Sequence, residues 1–131
     1  MASHKILLVD DEPDVRKLGE LCLQKLGKFQ VCLAASGPEA VRVAAHERPD
    51  LILCDVMMPG LDGPGVLALL RANPDTAEVP IIFLTACCRK EEVERFLALG
   101  AAGVIAKPFD PVKLPRLIHE HLARLVALGA A

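Results

Sequence analysis

Apolar residues in this chain fall in two alternating patterns. Ile6-Leu7-Leu8-Val9, Leu51-Ile52-Leu53-Cys54 and Ile81-Ile82-Phe83-Leu84 are uninterrupted apolar runs. Gln30 to Ala34 and Gly103 to Ala106 are less uniform versions of the same kind, each opening on a residue that is not strongly apolar. Runs of that length, bounded by polar or turn residues, predict buried strands. Between them, apolar positions recur at helical spacing. Val15, Leu18, Leu21, Cys22 and Leu26 follow Pro13, and Gly27 is the stop signal. Ser36 with Glu39 three residues on is a capping-box signature for a helix running to about Arg48, closed by Pro49. Pro59-Gly60 and Asp62-Gly63 mark a loop, and a helix is expected from about Gly65 to Arg71. Glu91 to Leu99 and roughly Leu114 to Leu128 complete the set.

The pattern predicts five strands and five helices in strict alternation. Strands that are apolar throughout are covered on both faces, as in a parallel sheet flanked by helices. Right-handed crossovers then restrict the topology. There is no internal repeat, linker or low-complexity segment.

Composition narrows the class. The chain has 131 residues, one domain's length, and 53% of them are hydrophobic, which excludes a disordered chain. Lys and Arg number 15 against 17 Asp and Glu, for a formal charge of −2, so no basic surplus points to nucleic acid. Tyr and Trp are absent, which leaves little for stacking on bases. No apolar run is long enough to span a membrane, and the first residues do not form a signal peptide. Five scattered cysteines do not make a disulfide framework, so a reduced, cytoplasmic chain is expected. Cys22, Cys32 and Cys54 read as small buried hydrophobes, and the four histidines as surface residues.

Candidate chemistry comes from where the polar residues fall. Asp10-Asp11, Asp55, Thr85 and Lys107 each stand at the end of a different apolar run. In a parallel sheet those ends share one edge, where ligands of such folds bind. Three carboxylates brought together repel unless a cation joins them. Oxygen-only ligands suit Mg2+, which takes few carboxylates together with a phosphate. A cation, a hydroxyl and an ammonium around one carboxylate suit a transferring phosphoryl group, and a carboxylate can accept it as an aspartyl phosphate.

Four segments carry a resemblance: Leu8 to Glu12, Pro49 to Gly63, Leu84-Thr85-Ala86 and Ala106-Lys107-Pro108-Phe109. Together, in this order, they resemble the receiver domain of two-component response regulators. The resemblance implies a flavodoxin-like (βα)5 sandwich with strand order 2-1-3-4-5, a single receiver unit over 1–131 with its core at about 5–125. It implies Asp55 as phosphoacceptor. Asp10, Asp11, Asp55 and the backbone carbonyl of Met57 would hold Mg2+. Thr85 would hydrogen-bond the phosphoryl oxygens, Lys107 would pair with the phosphate, and the Lys107-Pro108 bond would be cis. The donor would be a phosphohistidine on a sensor histidine kinase or phosphotransfer protein, and a downstream protein would read the result.

Two features depart from the family pattern. Val104 stands where members often carry Tyr or Phe, and a valine is too short and stiff to swing inward as those rings do. The signal is then expected to leave through the loop after Thr85 or to be read from the charge itself. Met57 and Cys87 occupy the positions flanking the path of attacking water, and neither orients water well, so a phosphate of moderate to long life is expected.

Other readings stay open at this stage. A pseudo-receiver of the same fold would bind a protein without phosphate. A Mg2+-dependent phosphohydrolase would need a carboxylate two residues after Asp55, where Met57 stands. In the last helix, Leu114, Leu117, Ile118, Leu122, Leu125, Val126 and Leu128 span a wide arc, either tight packing or a dimer surface. Pro115 requires that helix to begin near Leu114. The short tail argues against an encoded output domain.

Overall fold

The computed structural model describes residues 4–127. Its element order is β1 (Lys5–Val9), α1 (Pro13–Lys25), β2 (Gln30–Ala34), α2 (Gly37–Glu47), β3 (Leu51–Asp55), α3 (Gly63–Ala72), β4 (Ile81–Thr85), α4 (Lys90–Leu99), β5 (Gly103–Ala106) and α5 (Lys113–Ala127). All neighbouring strands pair in parallel, in the order β2-β1-β3-β4-β5. This is the expected flavodoxin-like sandwich.

Side chains alternate between two cores, one on each face of the sheet. Leu7, Val9, Ile52, Cys54, Ile81 and Phe83 pack against Ala40 and Ala44 of α2, Val66, Leu67 and Leu70 of α3, and Phe96 of α4. Ile6, Leu8, Leu51, Leu53, Ile82, Leu84 and Ile105 pack against Cys22 and Leu23 of α1 and Leu114, Ile118 and Leu122 of α5. Two-sided burial is complete only for the inner strands: β3 and β4 are buried along their whole length. At the edges, β2 is half-exposed until Ala34 and β5 alternates, because no further strand covers their outer sides.

Local signals act largely as read. The Ser36 hydroxyl accepts from the Glu39 amide at 3.2 Å, while the Glu39 carboxylate reaches back to the Ala35 amide rather than to Ser36 itself. Helix α3 starts two residues before Gly65: the Asp62 carboxylate accepts from the Gly65 amide at 2.9 Å, and Pro64 sits in the first turn, where its missing N–H costs nothing. Helix α5 begins at Lys113, which places Pro115 in its first turn.

The wide apolar arc of α5 is mostly consumed inside the molecule. Leu114, Ile118 and Leu122 are buried, Leu117 and Leu125 pack against the same core, and Val126 is exposed. Leu128 lies outside the described residues. One histidine corrects the surface reading, whereas His119 is exposed as expected. The His119 ring stacks on Phe29 with centroids 4.3 Å apart, and its Nε2 lies 2.9 Å from the Gly27 carbonyl. His121 is half-buried against Gly103, where any β-carbon would collide with the imidazole. Cys22 and Cys54 are buried as expected, whereas Cys32 is half-exposed on the edge strand.

Candidate functional site

The parallel sheet brings the sequence-predicted residues to one edge. Asp55 and Thr85 are the last residues of β3 and β4, and Asp10 and Lys107 immediately follow β1 and β5. Strand-like bonding continues one step past the strands: the Asp10 amide donates to the Ala34 carbonyl at 3.2 Å, Val56 to Leu84 at 3.0 Å and Lys107 to Thr85 at 2.9 Å. The site's backbone is therefore an extension of the sheet. The Lys107-Pro108 bond is cis.

Lys107 is the centre of the arrangement. Its Nζ lies 3.0 Å from Asp10 Oδ2 and 3.2 Å from Asp55 Oδ2, and 3.6 Å from a Glu12 carboxylate oxygen. Asp10 is fully buried and Asp55 nearly so. The other oxygens are held by the main chain: Asp10 Oδ1 accepts from the Glu12 amide at 2.9 Å, and Asp55 Oδ1 from the Met57 amide at 3.3 Å. Burial pushes the Asp55 carboxyl above the ordinary aspartate range, and the Asp10 charge adds to it; Lys107 and the Met57 amide pull the other way. Burial would lower the Lys107 ammonium, but its bonds to Asp10 and Asp55 and their charges outweigh it and raise the pKa. The lysine is a fixed cation shared by two acids.

Asp10, Asp11, Glu12 and Asp55 each offer a carboxylate oxygen, all within 4.8 Å of one another. This donor set fits a hard divalent cation: it is all oxygen and more acidic than one lysine neutralises. Glu12 was not singled out from the sequence. Its signal was its place directly after the acid pair, at the cap position of α1. Arg16 was also passed over; its guanidinium donates to the Asp10 carbonyl at 2.7 Å and fixes the turn.

Thr85 is in place but turned toward its own loop. Its Oγ1 accepts from the Cys87 amide at 3.1 Å and donates to the Cys87 carbonyl at 3.3 Å. Met57 brings its amide to Asp55, and its side chain is 77% exposed, away from the carboxylates. The loop that carries it is clamped from behind. Gly63 donates to the Val56 carbonyl at 2.9 Å, and a β-carbon there would lie 2.9 Å from Val56 Cα and 3.0 Å from the Asp55 carbonyl oxygen. Beside Lys107 opens a cleft of about 300 Å³, lined by Val15, Leu18, Ala86, Pro108 and Phe109 with Glu12 at its rim. Val104 is half-buried against the core of the α2-α3-α4 face.

Comparison with known proteins gives the family and the fold. Residues 6–119 match the response regulator receiver domain family. The chain is 42% identical over 125 residues to a protein of Porphyridium aerugineum named "Probable transcriptional regulator ycf27", covering 95% of this chain and 50% of that one. The chain spans about half the length of the first curated relatives it matches. Among solved structures, chemotaxis protein CheY4 of Vibrio cholerae is similar with a TM-score of 0.84 and 34% identity, covering 91% of this chain and 98% of that one. The receiver domain of a sensor histidine kinase from Pseudomonas aeruginosa PAO1 is similar with a TM-score of 0.81 and 38% identity, over 93% of this chain and 99% of that one. That structure has a magnesium ion coordinated in its active-site cleft.

Proposed function

Because the chain belongs to the response regulator receiver domain family, we propose that it accepts a phosphoryl group on Asp55 and passes the signal to a partner protein. The observation that carries this reading is the Lys107 ammonium held between Asp10 and Asp55 within an acidic cluster. Two carboxylates buried around one cation at a sheet edge form the kind of charge-coupled, desolvated cluster that functional sites concentrate.

In this reading Asp55 is the nucleophile. Its carboxylate oxygen bonds to phosphorus as the phosphorus–nitrogen bond to a donor histidine breaks. Lys107 opposes the rise that burial gives the Asp55 pKa and pairs with the incoming phosphate. The Thr85 hydroxyl leaves the Cys87 main chain and donates to a phosphoryl oxygen. Asp10, Asp11, Asp55 and the Met57 carbonyl would hold Mg2+, and Glu12 belongs to the same carboxylate cluster. When bound, the ion would supply positive charge against the phosphoryl oxygens. The apolar cleft beside Lys107 receives side chains of the donor, a sensor histidine kinase or phosphotransfer protein. The unit is one receiver domain working in the cytoplasm, and it catalyses its own phosphorylation and dephosphorylation.

With Val104 in place of an aromatic, the loop after Thr85 carries the output. Binding of Mg2+ and beryllofluoride is expected to shift the amide resonances from Ala86 to Lys90. Identical spectra there would end that part of the reading. The main test is acetyl phosphate with Mg2+, followed by intact mass. A gain of one phosphoryl group on the wild type and none on Asp55→Asn is expected. Equal gain on both would remove Asp55 from the role. No gain on either, together with no beryllofluoride binding, would favour a phosphate-independent interaction module.

A further inference from the structure

Asp10 is fastened on every side. Its amide donates to the Ala34 carbonyl at 3.2 Å, one carboxylate oxygen accepts from the Glu12 amide at 2.9 Å, and the other from the Lys107 ammonium at 3.0 Å. Its main-chain carbonyl accepts from Nη1 of Arg16 at 2.7 Å. The neighbouring acid has no such hold. The Asp11 carboxylate makes no hydrogen bond or ion pair among the described residues, yet it offers an oxygen within 4.8 Å of those of Asp10, Glu12 and Asp55. Its place in the cluster is set by its main chain alone.

Arg16 is half-buried near the start of α1. An arginine beside a group of carboxylates ordinarily forks onto one of them, because that pairing is charge-assisted and bidentate. This guanidinium makes no ion pair among the described residues and gives its short hydrogen bond to a neutral carbonyl. What the bond fixes is direction. A peptide unit is planar, so the Asp10 carbonyl and the Asp11 amide turn together. Holding the carbonyl sets the plane from which the Asp11 side chain departs. The Arg16 amide also donates to the Glu12 carbonyl at 3.0 Å, so one residue ties both sides of Asp11 to the helix.

We propose that Arg16 is a positioning residue for the divalent cation: through the Asp10 carbonyl it holds the Asp11 carboxylate where it can join Asp10 and Asp55. This rests on the reading of the acidic cluster as the Mg2+ site. Charge alone predicts the opposite effect. A guanidinium near the cluster repels an incoming cation, so its removal would tighten Mg2+ binding. Positioning predicts weaker binding, and the sign of the change separates the two.

The experiment titrates Mg2+ into the isotope-labelled full chain and follows the amide resonances of Glu12 and Met57. Arg16→Met keeps an apolar stem and loses every donor. Its Mg2+ Kd is expected to rise about tenfold, the scale on which residues that orient metal ligands act. Arg16→Lys restores a charged donor and should recover most of the affinity. A merely structural role would lower the melting temperature and leave the Kd of the folded protein unchanged. An unchanged or tighter Kd in Arg16→Met, or a Kd in Arg16→Lys no better than in Arg16→Met, would overturn the proposal while leaving the cation site in place. Should Arg16→Met fail to fold, Arg16→Gln, shorter and uncharged, takes its place with the same expected rise. Absence of Mg2+ binding by the wild type would overturn the reading of the cluster, and the role of Arg16 with it.

Discussion

The two ends of the sheet solve the same problem in opposite ways. At the amino edge, polar groups find main-chain partners or single opposite charges. The Lys5 amide donates to Asp50 at 2.7 Å, the Lys5 ammonium meets Glu47 at 3.1 Å, Arg71 donates to the Val79 carbonyl at 2.8 Å and Thr76 to the Leu70 carbonyl at 2.8 Å. At the carboxyl edge, several acids share one lysine and Thr85 bonds to the main chain of its own loop. Among the described residues, no buried polar side-chain atom lacks a partner at either edge. What differs is charge. One edge is electrically settled, the other holds an acidic excess that only a further cation or a change of protonation relieves. A site poised to bind is thus recognisable by its unbalanced charge even where every hydrogen bond is made.

Substitutions can test that contrast. The largest effect is expected from Lys107→Gln, which leaves Asp10 and Asp55 buried together without their cation. A loss of about 2–3 kcal/mol in chemical denaturation is expected, below the full cost of stripping a buried pair because water reaches this edge. Added Mg2+ should recover more stability in this variant than in the wild type. No loss would mean that the acids are already neutralised by other means.

Asp55→Asn should move stability the other way. The folded pKa of Asp55 is raised, so its contribution is present below the ordinary aspartate range and is lost as pH rises through the raised value. The variant should therefore melt above the wild type at pH 7, with Asp10 still holding Lys107. The gap should close as pH falls below the ordinary aspartate range. A gap that is constant with pH would place its origin outside this carboxylate.

The smallest effect is expected at the settled edge. Thr76→Val removes one buried hydrogen bond to the Leu70 carbonyl, for a loss of about 1 kcal/mol. That loss should be indifferent to Mg2+ and nearly flat between pH 5 and about 8. A Mg2+-dependent loss would show that the two edges are coupled through the sheet.

Much of this was legible in the sequence, for identifiable reasons. Continuous apolar runs ending in Asp10, Asp55, Thr85 and Lys107 place four side chains on one edge once the strands are parallel. That step needs only strand direction, and strand direction follows from the intervening helices. Details that depend on a third element were hidden. The start of α3 at Gly63 rests on the Asp62 cap and on close packing against Val56, which loop-forming residues disguise. His121 looks like a surface residue until Gly103 is known to face it. Glu12 joins the acids through the turn that Arg16 and the Asp10 carboxylate fix. Which way the Thr85 hydroxyl points is a rotamer choice, and no pattern of residue types records it.

That rotamer has a statistical consequence. Two neutral hydrogen bonds to the Cys87 main chain hold the Thr85 hydroxyl in place, a net hold of about 2 kcal/mol. A gap of that size leaves the alternative rotamer populated at a few per cent at room temperature. On the proposed role of Asp55, an arriving phosphoryl group would have no need to force the hydroxyl across: it would capture a molecule already turned, and the response would grow by redistribution among states the resting protein visits on its own.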